Sequence, residues 1–150
     1  MDLGLRGKTA LVTGGSTGIG RAVARTLAAE GVRVAICSRD ATALRQAAAD
    51  VERATSGHVD VVPGDLSQRG EVARVAAEAL ARLGRLGILV NNAGAIKGGD
   101  FLATPDEEWL EGWSLKLLGY IRMAREVTPR RSPISARARR YWSPASLRDR

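Results

Sequence analysis

The chain has one cysteine, one histidine and one phenylalanine among its 150 residues. A lone Cys37 cannot close an intramolecular disulfide, and a cysteine-based metal site has nothing to build on. His58 has no second ligand nearby in sequence and reads as a turn residue ahead of a strand. Aromatics make up only 4% of the chain, so stacking on nucleobases is a poor first reading. Long apolar runs are absent. The longest are short stretches such as 9–13 and 87–90, so no membrane span is predicted. The opening Met1-Asp2-Leu3-Gly4-Leu5-Arg6 has no basic start leading into an apolar core. No secretory signal is therefore expected, and the expected location is cytoplasmic. Hydrophobic residues at 45% and charged residues at 26% are ordinary for a folded domain, which excludes a disordered chain, a collagen and a coiled coil.

The charge is unevenly spread. Seven arginines (130, 131, 137, 139, 140, 148 and 150) and one acid, Asp149, give residues 129–150 a net +6 of the chain's +7. Residues 1–128 are almost neutral, with 16 basic against 15 acidic residues. The basic character therefore belongs to a tail and not to a folded face.

Residues 1–128 alternate between two periods. Short apolar runs at 9–13, 32–37, 59–62 and 86–90 read as strands. Helical spacing follows each of them. Helix 19–30 carries Ile19, Val23 and Leu27 and stops at Gly31. Helix 41–54 is capped by Asp40, with Leu44, Ala47, Ala48 and Val51 on one face. Helix 69–83 has Ser67 as its candidate cap and turns Val72, Val75, Ala76, Ala79 and Leu83 inward. Pro105 opens a last helix over 106–127. Four strand–helix alternations predict an α/β fold with a parallel sheet and helices on both faces. Past Thr128 the pattern stops. Pro129, Pro133 and Pro144, eleven Arg and Ser residues, and no apolar period make an irregular basic tail over 129–150.

The segment Thr13-Gly14-Gly15-Ser16-Thr17-Gly18-Ile19-Gly20 falls between the first strand and the first helix. Glycines there allow a tight turn, let backbone approach a pyrophosphate, and let the helix pack closely on the sheet, while the helix N-terminus offers N–H groups to an anion. A dinucleotide site that takes NAD needs a carboxylate at the end of the second strand, about 20 residues after the glycines. That position holds neutral Ser38, followed by Arg39, whose guanidinium suits a 2′-phosphate. NADP(H) is therefore favoured over NAD(H).

Thr13-Gly14-x-x-x-Gly18-Ile19-Gly20, then Asp65-Leu66, then Asn91-Asn92-Ala93-Gly94, in that order, resemble the short-chain dehydrogenase/reductase family. The resemblance covers residues 1–128, about the first half to two-thirds of a family subunit. It implies a partial Rossmann-type domain with strand order 3-2-1-4. It also implies an NAD(P)(H)-dependent oxidoreductase acting on small alcohols and carbonyls, and a homo-oligomer. By the same resemblance Gly14, Ser16, Gly18, Ile19 and Gly20 hold the phosphates, Asp65 bonds the adenine amino group beside Leu66, and Asn92, Ala93 and Gly94 line the adenosine ribose and brace the fourth strand. Read without the resemblance, the asparagine pair is a polar turn and Asp65 a turn former.

The family's catalytic set is a Ser, a Tyr and a Lys four residues after the Tyr. Tyr120 is followed at that spacing by Ala124 and Tyr141 by Ala145. Lys116 stands seven residues after Trp109, where the family carries an Asn that helps a proton relay in its fourth helix; the resemblance implies that Lys116 could hold a relay water there, and the alternative is a snorkelling surface lysine. No catalytic residue is assigned. The chain is expected to bind the dinucleotide weakly, without turnover, as a truncated or frame-shifted product. Without a fifth strand, the fourth is expected to keep a bare edge and the last helix to lack a neighbour, against a stable soluble dimer. The alternative is a non-catalytic nucleotide- or nucleic-acid-binding protein. Its tail would grip phosphates through Arg137, Arg139 and Arg140 beside Tyr141 and Trp142.

Overall fold

The computed structural model of the chain describes residues 3–94, 99–100 and 102–128. The basic tail 129–150, with both readings of it, lies outside the described residues. Strands β1 (Thr9–Thr13), β2 (Arg33–Ser38), β3 (Val59–Pro63) and β4 (Ile88–Val90) form one parallel sheet in the order β3-β2-β1-β4, the order read from the sequence. Helices α1 (Gly18–Ala29), α2 (Ala41–Thr55) and α3 (Arg69–Leu83) fill the crossovers. The last helical stretch runs through α4 (Asp106–Trp113), a π turn (Ser114–Leu118) and α5 (Gly119–Val127).

Alternate residues of each strand face opposite sides, so each strand feeds two cores. Ala10 and Val12 of β1 with Val34 and Ile36 of β2 pack against Ala24 and Ala28 of α1 and Leu44, Ala47, Ala48 and Val51 of α2. Leu11, Ala35, Cys37 and Val62 point the other way, onto Val72, Val75, Ala76, Ala79 and Leu83 of α3 and Met123 of α5. Burial on both faces explains why β1 is apolar throughout apart from its terminal threonines.

The sheet-facing side of α1 was not read from the sequence, and two local expectations are corrected. The face of α1 that packs on the sheet is Gly20, Ala24 and Ala28. Ile19 is 75% exposed, and Val23 and Leu27 lie at the margin of the core. Small residues win because the helix must approach the sheet closely: a Cβ on Gly20 would overlap the carbonyl of Gly14. Ser67 does not cap α3. Gln68 is the capping position without a side-chain bond, and Asp65 Oδ1 instead accepts from the Ser67 amide at 3.0 Å and its hydroxyl at 2.8 Å. The helix expected over 106–127 is not uniformly α, because Gly119 N–H donates to Ser114 O, five residues back.

Other local readings hold. Asp40 caps α2, its carboxylate accepting from the amides of Thr42 and Ala43 at 2.8 and 3.0 Å. Gly31 ends α1 at φ +77°, a left-handed conformation that suits glycine. His58 is more than a turn residue: its Nδ1 lies 2.8 Å from Glu52 and its Nε2 3.6 Å from Asp60.

Among the described residues β4 pairs with β1 alone, and its three residues are half-buried. The last helix does have one neighbour, because α5 packs on the α3 side of the sheet through Met123 and Val127. Its outer side leaves Leu110, Trp113, Leu117, Leu118 and Ile121 exposed. No helix among the described residues is long and apolar enough to cross a membrane.

Candidate functional site

In the order β3-β2-β1-β4 the strand sequence turns back at β1, and β4 adds on its other side. In an open parallel sheet the crevice outside the carboxyl ends of the strands at such a point is where ligands bind. A crevice of about 440 Å³ opens there, lined by the glycine turn, the ends of β2 and β4, Gly64, Leu66 and Leu115. That volume falls within the range of small-molecule sites.

The turn is shaped by its glycines. The amides of Gly14 and Gly15 both donate to Cys37 O, at 2.7 and 3.1 Å, which folds the segment back over β2. Gly14 at φ +68° and Gly18 at φ +52° adopt left-handed backbone. Thr17, the capping position of α1, makes no side-chain bond to the helix. This end of α1 therefore presents its first-turn N–H groups and the positive end of its dipole toward the crevice, an arrangement suited to a phosphate.

Thr13 ties this turn to β4. Its Oγ1 accepts from the amides of Asn92 and Ala93, at 2.9 and 3.0 Å, and lies 3.2 Å from Val90 O as a donor. Asn92 Nδ2 reaches back to Thr13 O and Gly14 O, at 3.0 and 3.2 Å. Residues 77–80 positions apart are thus locked at the point where the crevice opens. Thr13 was read from the sequence only as part of the motif. The available signal was a polar residue closing a buried strand, since a buried hydroxyl needs partners. Thr13→Val keeps the shape and strands two half-buried amides. Urea denaturation is expected to show a loss of ~2–4 kcal/mol, with Thr13→Ser close to the parent protein. A Thr13→Val variant as stable as the parent would remove Thr13 from this role.

The structure brings most of the expected residues together. Gly14, Ser16, Gly18, Ile19, Ser38, Arg39, Leu66, Asn92, Ala93 and Gly94 all line the crevice. Gly20 and Asp65 do not. Gly20 is buried behind the turn, where an added Cβ would overlap Gly14 O and lie 2.5 Å from Asn92 Nδ2, so it packs the turn closely. Asp65 is half-buried, and one of its oxygens is committed to Ser67. Exposed Ile19 covers one side of the crevice, which explains an apolar side chain left in water.

At the β2 end, Ser38 Oγ lies 3.4 Å from Asp40 O and Arg39 is exposed beside it. Asp40 also lines the crevice, but its carboxylate is occupied in capping α2. Arg39 is thus the group free to meet an anion at this corner. Cys37 also lines the crevice; burial pushes its thiol up to about 12, so it is an inert apolar filler and not a nucleophile. Among the described residues no group of three His, Cys, Asp or Glu side chains could hold a metal ion.

A family model described as short chain dehydrogenase matches residues 8–136. The chain belongs to this family. The match continues eight residues past Thr128. Among similar short-chain dehydrogenases, the rhamnolipids biosynthesis 3-oxoacyl-(acyl-carrier-protein) reductase of Pseudomonas aeruginosa is 39% identical over 128 residues, covering 83% of this chain and 48% of the relative. The 2,3-dihydro-2,3-dihydroxybenzoate dehydrogenase of Bacillus subtilis is 32% identical over 125 residues, with 83% and 48% covered. Among solved structures, L-sorbose reductase from Gluconobacter frateurii, complexed with NADPH and L-sorbose, superposes with a TM-score of 0.79 at 33% identity, covering 85% of this chain and 48% of that one. The chain spans about half the length of the curated relatives it matches.

Proposed function

We propose that the crevice binds NADP(H) and that the chain is the dinucleotide-binding part of an oxidoreductase acting on an alcohol or carbonyl. The observation that carries this reading is the α1 N-terminus, left uncapped by Thr17 beneath the glycine turn, with Arg39 at the far corner. Ser16, Gly18 and Ile19 would hold the pyrophosphate. Arg39 would take the 2′-phosphate, and Leu66 with Asn92–Gly94 would wall the adenosine. The L-sorbose reductase complex with NADPH supports the cofactor choice. When bound, the reduced nicotinamide supplies a hydride for a carbonyl carbon, and the carbonyl oxygen must gain a proton.

Neither tyrosine of this chain has a lysine four residues after it, the pair from which the family draws that proton. Tyr120, the one described tyrosine, has its hydroxyl pKa raised by burial, the opposite of what proton exchange near neutrality requires. Ala124 stands where the family's lysine would lower it. The reading is therefore binding by this chain and hydride transfer by the family.

Arg39→Asp tests the cofactor choice. A guanidinium–phosphate contact is worth ~1.5–3 kcal/mol, so fluorescence titration is expected to show NADPH affinity falling ~10–100-fold while NADH binding holds or improves. Unchanged NADPH preference in the variant would refute the assignment of Arg39.

A further inference from the structure

Lys116 is the charged residue at the β4 side of the crevice that the cofactor reading leaves unused. The π turn that carries it is anchored on the β3–α3 loop. Ser114 Oγ lies 3.4 Å from Ser67 O, and Gly119 is so close that an added Cβ would come 3.1 Å from Leu66 O. From that anchor two successive side chains address the strand ends. Leu115 lines the crevice, and the Lys116 stem runs along Gly94. A Cβ added at Gly94 would meet Lys116 Cδ at 3.4 Å, Cγ at 3.5 Å and Cβ at 3.7 Å. The exposed stem thus lies alongside Gly94, at the rim of the crevice that Gly94 and Leu115 line.

The surroundings make this cation available. Among the described residues Lys116 forms no ion pair; the pairs lie on α1, α2, α3 and β3 and at His58 just before β3. The crevice residues beside it, Asn92, Ala93, Gly94 and Leu115, are uncharged. The phosphates of a dinucleotide are served elsewhere, by the α1 N-terminus and by Arg39. A dinucleotide lies across the point where strand order reverses, one nucleotide on each half. With the adenosine over β2 and β3, the second nucleotide and whatever it reacts with belong on the β4 half, where Lys116 stands. A π turn often marks a functional position within a helix.

We infer that Lys116 is a specificity-determining residue, which makes the β4 end of the crevice select carbonyl compounds that carry a carboxylate. The inference rests on the dinucleotide reading for its placement and names the substrate class for that site. It requires that charge, and not shape, decide binding. Acetoacetate and acetylacetone form a suitable pair of probes, alike in size and differing in a carboxylate against a methyl ketone.

Amide-shift titrations of the full 150-residue chain, with and without NADPH, follow both probes at Leu115 and Gly94. Acetoacetate is expected to bind ~10-fold tighter than acetylacetone, a difference of about 1.4 kcal/mol. Added salt should narrow the gap, because an exposed cation is screened. Lys116→Met keeps the stem over Gly94 and is expected to bring the two probes within twofold, with NADPH affinity and melting temperature held. Lys116→Arg should restore the preference. No preference in the parent chain, or a preference that survives Lys116→Met, overturns the inference. Failure of NADPH alone to bind overturns the dinucleotide reading instead, and the cofactor-free titration still judges Lys116.

Discussion

Gly20→Val is expected to abolish NADPH binding and to destabilise the fold. Gly20 sits where α1, the turn and the segment after β4 meet without room for a side chain. An added Cβ would overlap Gly14 O and crowd Asn92 Nδ2, the group that ties the turn to β4. Both neighbours are held by backbone, so neither can yield cheaply. Forcing bulk into a packed site costs ~1–3 kcal/mol, and the accompanying shift of the turn moves the α1 amides away from the phosphate position. Calorimetry should show no NADPH heat, and the urea midpoint should fall. Gly18 supplies the contrast, because nothing lies within 4 Å of its added Cβ while its φ is +52°. Gly18→Ala should therefore strain the backbone by ~1–2 kcal/mol without a clash, weakening NADPH binding more than stability. Normal NADPH binding by Gly20→Val would reduce the glycine turn to a structural feature.

The second large effect is an absence. The purified chain is expected to consume no NADPH above buffer with ketones, aldehydes, quinones or β-ketoacyl compounds. Hydride arrival at a carbonyl builds negative charge on oxygen, and a positioned acid is worth ~10²–10⁴-fold in such a step. Tyr120 is on α5 with its main-chain carbonyl 3.3 Å from Asn91 Nδ2, and its hydroxyl is harder to ionise than an ordinary phenol. No lysine follows it at the spacing the family uses. Tyr120→Phe is accordingly expected to change nothing in a spectrophotometric assay at 340 nm (the reduced-nicotinamide band). Turnover by the parent chain that disappears in Tyr120→Phe or Lys116→Ala would reveal an unconventional site on the last helix.

Much of the fold was legible because its causes are local. The apolar runs, the Asp40 cap and the Gly31 stop each act within a few residues, and they gave the element order and the buried faces of α2 and α3. Most of the crevice lining was legible too, since the glycine turn, Ser38-Arg39 and Asn92-Ala93-Gly94 all stand at strand ends. What sequence patterns hid depends on contacts across the chain. The apolar spacing of α1 named Ile19, Val23 and Leu27 without naming the small residues Gly20, Ala24 and Ala28 that the sheet needed against it. Ser67 had the chemistry of a helix cap, but Asp65, two residues earlier, took its amide and hydroxyl first. The π turn adds a residue to one helical turn with no marker in the local sequence, so the closeness of Lys116 to Gly94 showed only in three dimensions.

The account turns on the crevice at the β1–β4 reversal being the dinucleotide site. The direct test is mapping backbone amide shifts of the parent chain as NADPH is added. Saturable shifts are expected at Gly14, Ser16, Gly18, Ile19, Arg39, Leu66 and Asn92 through Gly94, with weaker shifts for NADH at Arg39. Shifts absent from the glycine turn, or confined to the exposed face at Leu110 and Trp113, would contradict it.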